Sequence, residues 1–363
     1  VPPEHNGTQA AIVGEQPGVG EAEDGKPFVG PSGRLVNRAL ETAGLDRRRL
    51  HITNAVACYS PTKLSSKHYA KAAACCAPRL QQETAGYEKI ITLGARPLQV
   101  FTRKTSVIEW FGYPLLDVTS SFGRKIFPHF HPAAALRAPP LLPVFTHIMR
   151  RAAAWVRGEL PLWQWPDIHT EPTPEALAAL RRIAQAPLLS YDVESAGTSP
   201  QFDKLLCVGV GTPQEAVSLE WPVRSRAHYE ALVACLTGRA VKAAHNDQHD
   251  RLVLEAHGID VAEPRIDTLL AHSSLYPQLR HGLSFVCAVE FAAPRWKSDF
   301  HGESEHKGAE MFARADPTVL RTYNARDCIM DALLAERQFR QLGREVRTWL
   351  QQSQQAPAQL LMS

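Results

Sequence analysis

Residues 14–35 constrain this chain more than any other stretch. They run from Gly14-Glu15-Gln16-Pro17-Gly18 through Lys26-Pro27-Phe28-Val29-Gly30 to Ser32-Gly33-Arg34-Leu35, and hold six glycines and three prolines. An apolar run, Ala10-Ala11-Ile12-Val13, stands just before and reads as a buried strand. An amphipathic helix pattern follows from Ser32 to Ala43. Glycine lets backbone approach a ligand closely, and proline stiffens the turn that does so. A strand, a rigid loop and a helix in that order make a pocket floor at the carboxyl end of a strand, where open α/β sheets bind ligands.

The same rhythm continues for about 155 residues. Strands are expected at 10–14, 50–57, 88–94 and near 125–130, with helices at 32–43, 67–84, 95–103 and 141–157. That alternation argues a parallel sheet flanked by helices. With 363 residues, 44% of them apolar, the chain can build two ordinary domains. Residues 158–174 carry four prolines and no helical period, and read as a stiff connector. Thr173-Pro174-Glu175 then starts a helix with a cap residue, a first-turn proline and an acid at the positive end. The expected division is 1–160, a linker over 161–174, and 175–363. Both domains are expected to be α/β.

Charge separates the halves. Residues 1–165 hold 20 Lys and Arg against 12 Asp and Glu, whereas residues 166–363 hold 20 against 25. The first balance suits a polyanion such as DNA. The second suits DNA only if some of its carboxylates hold metal ions, which restore positive charge. No apolar run reaches the ~18 residues that would cross a bilayer, and no signal-peptide pattern opens the chain. The expectation is a cytoplasmic protein with no membrane partner. The first residue is Val, so the chain reads as trimmed. Seven cysteines without framework spacing argue against a disulfide scaffold.

The first half resembles the family-4 uracil-DNA glycosylases. The shared features are the GExPG loop, the Phe of PFVG thirteen residues after the Glu, Asn54 in Ile52-Thr53-Asn54-Ala55-Val56, and His131 in Phe130-His131-Pro132-Ala133. The resemblance implies excision of a base taken out of the stack. Uracil leaves as an anion, and a neutral imidazole aimed at its carbonyl oxygen stabilises that charge, a role that falls to His131. Asn54 carries the donor and acceptor that tell uracil from cytosine. Phe28 offers a stacking face. Glu15 would position the attacking water. Gln16 and Glu21 would line the uracil site, with Glu21 guarding the C5 position. On the loop expected over His131–Pro139, Leu136 would wedge into the gap left by the flipped base, and Arg137 would meet phosphate. Family members hold a [4Fe–4S] cluster on four cysteines. Cys58 with Cys75 or Cys76 would be the downstream pair, and no cysteine stands upstream of Gly14. The family's basic run after the Asn is replaced here by Ala57-Cys58-Tyr59-Ser60-Pro61.

In the second half, Leu188-Leu189-Ser190-Tyr191-Asp192-Val193-Glu194 reads as a buried strand with two acids on one face. Such a pair is costly in an apolar strand unless a cation joins it. Strands at Leu205–Gly209 and Ala216–Leu219 fit an antiparallel start to a second sheet. Ala244-His245-Asn246-Asp247-Gln248-His249-Asp250 opens a helix at Asn246, with Asp250 one turn in. Tyr323 and Asp327 lie one helical turn apart on a helix expected to reach Leu342. These three motifs together resemble the tyrosine-containing 3′–5′ exonuclease domains of bacterial and phage family-A DNA polymerases, which have a ribonuclease H-like fold. The resemblance implies two divalent ions, Mg2+ or Mn2+, held by Asp192, Glu194, Asp250 and Asp327, with Tyr323 orienting the water. Asp267 is expected to be structural, and Cys207, Cys235, Cys287 and Cys328 to be core residues.

The reading is a fusion that excises uracil and degrades DNA from 3′ ends, single-stranded or duplex. Two alternatives stand beside it. The first domain would be a DNA- or uracil-binding module attached to an active exonuclease, or the chain would be the front part of a family-A polymerase.

Overall fold

The computed structural model describes residues 1–5, 10–62, 64–116, 123–197, 199–200, 202–296 and 315–343. The chain forms two compact units, Val1–Trp163 with Ala288–Arg295, and Gln164–Cys287 with Trp296–Ser363.

In the first unit the elements are β1 (Glu4–His5), β2 (Ala10–Gly14), α1 (Val19–Asp24), α2 (Pro31–Thr42), β3 (Leu50–Asn54), α3 (Ser66–Glu83), β4 (Lys89–Leu93), α4 (Ala95–Thr102), α5 (Val107–Trp110), β5 (Lys125–His129), α6 (Pro132–Arg137) and α7 (Leu141–Arg157). Among the described residues the sheet order is β1-β3-β2-β4-β5. The four longer strands run parallel, and β1 pairs antiparallel with β3 at the edge. Both faces are covered, as a parallel sheet requires. Ala11, Val13, Ile90 and Ile126 pack with Leu80 of α3 and with Leu98 and Phe101 of α4. Phe127 instead meets Trp155 of α7. Fully buried rings such as Phe101 and Phe127 each contribute about 1.5–3 kcal/mol.

Because β3 and β4 flank β2 on opposite sides, the strand order reverses at β2. The crevice at its carboxyl end is where ligands of such sheets bind. Three local features differ from the sequence expectation. Strand β3 stops at Asn54, not residue 57, because the Arg79 guanidinium takes the Asn54 carbonyl (2.7 Å) and the Ala55 carbonyl (3.4 Å) out of the ladder. The glycine-rich loop contains a helical turn, α1, ended by Gly25 in the left-handed conformation (φ +67°). The histidine-proline segment, expected as a loop, is the short helix α6.

The second unit comprises β6 (Asp167–His169), α8 (Pro174–Ile183), β7 (Leu188–Ser195), β8 (Leu205–Gly211), β9 (Glu215–Glu220), α9 (Arg226–Thr237), β10 (Val241–Ala244), α10 (Asp247–Ala256), β11 (Arg265–Asp267), α11 (Thr268–Leu275), α12 (Leu283–Phe291) and α13 (Pro317–Gln341). Residues 288–295, at the end of α12 and beyond, group with the first unit. Thr173 caps α8 by accepting from the Ala176 N–H at 3.2 Å. The sheet order is β11-β10-β7-β8-β9-β6 among the described residues. Strand β8 is antiparallel to β7 and β9, and β10 and β11 are parallel to β7. This is the ribonuclease H-like arrangement, extended by β6, an edge strand drawn from the proline-rich stretch. Helices α8, α9 and α10 share one core with β7, β8 and β9. Ala325, Cys328 and Ile329 of α13 pack with Ala216 of β9 in a separate cluster. Cys207, Cys235, Cys287 and Cys328 are all buried thiols.

Candidate functional sites

The carboxyl ends of β2, β3 and β5 carry or lead into candidate residues. Gly14 ends β2 and is paired in register with Asn54, which ends β3. A Cβ on Gly14 would sit 2.3 Å from Asn54 Oδ1 and 2.5 Å from Phe28 Cζ, so the ring and the amide meet over this one bare backbone position. Asn54 is buried. Phe28 is buried with φ +57°, a left-handed conformation unusual for a bulky residue. Gly33 makes room for it, since a Cβ there would lie 1.8 Å from the Phe28 carbonyl oxygen.

Beside these, Gln16 has a buried amide oxygen with no hydrogen-bond partner among the described residues, a group that normally finds one. Glu15 pairs with Arg96 Nη1 at 3.2 Å. Glu21 is buried, and its carboxylate accepts the Gly18 N–H at 3.0 Å, fixing the first turn of α1. His131 follows β5 as the N-cap of α6, and its Nδ1 accepts the Ala133 N–H at 3.2 Å. A neutral ring that accepts at Nδ1 carries its proton on Nε2. The ring is neutral, because burial, with the nearby Arg137 charge, lowers its pKa to about 4. Its Cβ and Cδ2 lie against Gly94, where an added Cβ would be 3.1 and 3.3 Å away. Leu136 and Arg137 are exposed in the last turn of α6, a helix rather than the loop expected for them.

Sequence reasoning did not single out Arg79 or Arg96. Arg79 holds the Asn54 carbonyl from α3 and pairs with Glu83 at 2.5 Å. Nothing in the helical pattern marks it as different from a surface arginine.

The second unit gathers acids. Asp192 and Glu194 of β7 and Asp327 of α13 each offer a carboxylate oxygen, all within 4.8 Å of one another. Carboxylates at that spacing repel by roughly 3 kcal/mol per pair at an effective dielectric near 20. Asp250, expected in the same set, falls outside that trio. It is buried in α10, and burial raises its pKa, with the Asp192 and Glu194 charges adding to the shift. Tyr323 is buried one turn before Asp327 and hydrogen-bonds it. Burial first, then the charges of Asp327, Glu194 and Asp192, hold its phenol protonated.

Several residues without an assigned role hold these acids. Asn324 Nδ2 donates to Asp192 Oδ2 at 2.6 Å, while its Oδ1 accepts from Ser218 at 2.6 Å. The Trp296 indole N–H donates to Asp327. Asn324 lies inside the Tyr323-Asn324-Ala325-Arg326-Asp327 motif, so its place was visible although its function was not. Trp296 had no such signal. Asp267 is structural: its carboxylate accepts four backbone N–H groups, from Asn246, Asp247, Leu269 and Leu270, at 2.8–3.2 Å. Asn246 starts α10 through a left-handed backbone (φ +79°) rather than a side-chain cap.

The iron–sulfur expectation finds no support. Cys58 and Cys75 are exposed and free and Cys76 is half-buried. Among the described residues neither Cys58 nor Cys75 belongs to a group of three or more metal-ligating side chains. Among the described residues, too, no helix is long and apolar enough to cross a membrane.

The chain is thus an α/β protein whose first sheet opens a crevice at a topological switch point and whose second carries an acid cluster. Residues 3–153 match the family described as the Uracil DNA glycosylase superfamily. The chain is 36% identical over 160 residues to the type-4 uracil-DNA glycosylase of Saccharolobus solfataricus, covering 42% of this chain and 73% of that protein. It is 34% identical over 132 residues to the type-4 enzyme of Thermotoga maritima, covering 36% of this chain and 67% of that one. The chain belongs to the uracil-DNA glycosylase superfamily. Among solved structures, Brucella melitensis NrnC is similar with a TM-score of 0.39 and 20% identity, over 51% of this chain and 85% of that one.

Proposed function

We propose that the protein excises uracil from DNA in its first unit and hydrolyses DNA from 3′ ends in its second. One observation supports the first half above others: Phe28 and Asn54 meet over Gly14 at the mouth of the switch-point crevice. Under this reading the flipped uracil stacks on Phe28, and the Asn54 amide reads its O4 and N3–H edge. Cytosine presents the opposite pattern there and leaves both groups unpaired. The unpartnered Gln16 oxygen accepts a further donor. Glu21, fixed on α1, screens C5 against a methyl group. As the N1–C1′ bond breaks, its electron pair leaves with uracil, and the Nε2–H of neutral His131 donates to the charged carbonyl oxygen. Glu15 orients water toward C1′, and Leu136 and Arg137 face the DNA gap and phosphate.

For the second half, the supporting observation is the carboxylate trio within 4.8 Å. The acids fit a hard divalent cation, which removes their mutual repulsion. Asp192, Glu194 and Asp327 would hold it, and Asp250 would complete the set for a second ion. Bound divalent ions stabilise the attacking and leaving oxygens of phosphodiester hydrolysis. Tyr323, kept a phenol, orients the attacking water, while Asn324 and Trp296 hold Asp192 and Asp327 in place.

The test uses the full chain on a uracil-containing oligonucleotide. In EDTA, abasic product should form and be lost in His131→Ala. No product from the parent protein would leave the first unit as a binding module. With Mg2+, a 3′-labelled strand should be degraded by the parent and not by Asp192→Ala.

A further inference from the structure

We infer that Arg96 is a positioning residue for excision, acting through Glu15. The inference rests on the role proposed for Glu15. Glu15 follows β2 and Arg96 lies in the first turn of α4 after β4, so their ion pair bridges the two strands at the switch point. The pair is partly shielded, with the Arg96 and Glu15 side chains 20% and 29% exposed. Arg96 is itself fixed at two further points. Its Nη2 donates to the Leu64 carbonyl at 2.8 Å, and its guanidinium lies 4.4 Å above the Tyr69 ring. The Tyr69 hydroxyl donates to the Glu15 backbone carbonyl at 3.2 Å. Both ends of Glu15 are therefore tied to one small assembly, the side chain by Arg96 and the backbone by the tyrosine on which Arg96 stacks.

The same turn touches His131. Gly94, two residues before Arg96, has φ +106° and lies against the His131 ring. The turn that opens α4 thus touches both the Glu15 carboxylate and the His131 ring. A free glutamate on a glycine-rich loop samples several rotamers. A carboxylate clamped to a stacked guanidinium keeps one orientation, and misplacement of an orienting group by an ångström is enough to cost rate.

The test is single-turnover excision by the full chain in EDTA, which silences the second site, with uracil-DNA affinity measured in parallel. Arg96→Ala should slow the chemical step roughly tenfold with affinity unchanged. Arg96→Lys, which keeps the charge but loses the stack and the fork, should recover only part of the loss, and guanidinium added to Arg96→Ala should recover more. In a Glu15→Gln background the same Arg96→Ala change should have less than about a twofold effect, because its partner is already gone. Equal losses in both backgrounds, or a loss confined to affinity, would overturn the inference. If Arg96→Ala does not fold, Arg96→Lys and Arg96→Gln carry the comparison: equal rates in these two would overturn it. A Glu15→Gln protein as fast as the parent, or a parent without product, would instead bring down the reading of the first unit and the inference with it.

Discussion

His131 shows how burial sets chemistry at the residue scale. Its pKa falls to about 4, first through burial and then through the Arg137 charge. Under the proposed function the useful form is the neutral one, with the proton on Nε2. Excision should therefore hold steady as pH falls from 7 through 6.5 and decline only near pH 4; a decline centred at 6.5 would argue against neutral His131. The same shift bears on stability. The folded pKa lies below the unfolded value, so the contribution is fully present above about 6.5 and is lost as pH falls toward 4. His131→Ala should cost about 10²–10³ in excision rate. Gly14 gives a second prediction at this scale. Gly14→Ala would drive a methyl against Asn54 and Phe28. Excision should fall at least about a hundredfold, while circular dichroism reports a folded protein. The glycine was legible in sequence as a place of close approach. The positive φ of Phe28 was not, because that conformation is imposed by packing over Gly33 rather than by Phe28 itself.

At the scale of elements, the second site depends on how closely α13 approaches the sheet. Asp192 and Glu194 come from β7 and Asp327 from α13, so the trio exists only if that helix lies flush. Gly209 of β8 permits this: a Cβ there would be 2.2 Å from Asn324 Oδ1 and 2.7 Å from Cys328 Sγ. Gly209→Ala should push the helix outward. It should destabilise the protein by about 1–3 kcal/mol, read by denaturant unfolding, and abolish 3′ digestion in the fraction still folded. The paired acids, the Tyr323 and Asp327 spacing and the antiparallel opening of this sheet were all legible, because strand and helix periods fix which residues share a face. The short elements were not. Helix α1 has a glycine and four acids or small residues in place of an apolar stripe, and α6 is six residues hemmed by prolines. Strand β6 has three residues and gains its identity only by pairing with β9. In each case tertiary contacts supply what local periodicity lacks.

At the scale of the whole molecule, the charge division bears on how the two proposed activities would share one chain. Residues 1–165 carry an excess of eight positive charges and residues 166–363 an excess of five negative ones. Under the proposed function the first unit would attract DNA without help, whereas the second would repel it until cations entered its acid cluster. Two divalent ions would bring the second half to a net charge near −1. DNA affinity and stability should then respond to Mg2+ in different ways at the two sites. Excision, driven by the basic unit, should proceed at the same rate with Mg2+ or with EDTA. Thermal unfolding should show Mg2+ stabilising the protein by roughly 2.7 kcal/mol at a hundred times the dissociation constant, and that gain should vanish in Asp192→Ala. The His131→Ala protein should keep the full Mg2+ stabilisation and full 3′ digestion while losing excision. If Mg2+ stabilised Asp192→Ala as strongly as the parent, the ions would be bound elsewhere. The carboxylates of β7 and α13 would then be a repulsive cluster that the fold tolerates with the help of the Asn324, Trp296 and Tyr323 hydrogen bonds.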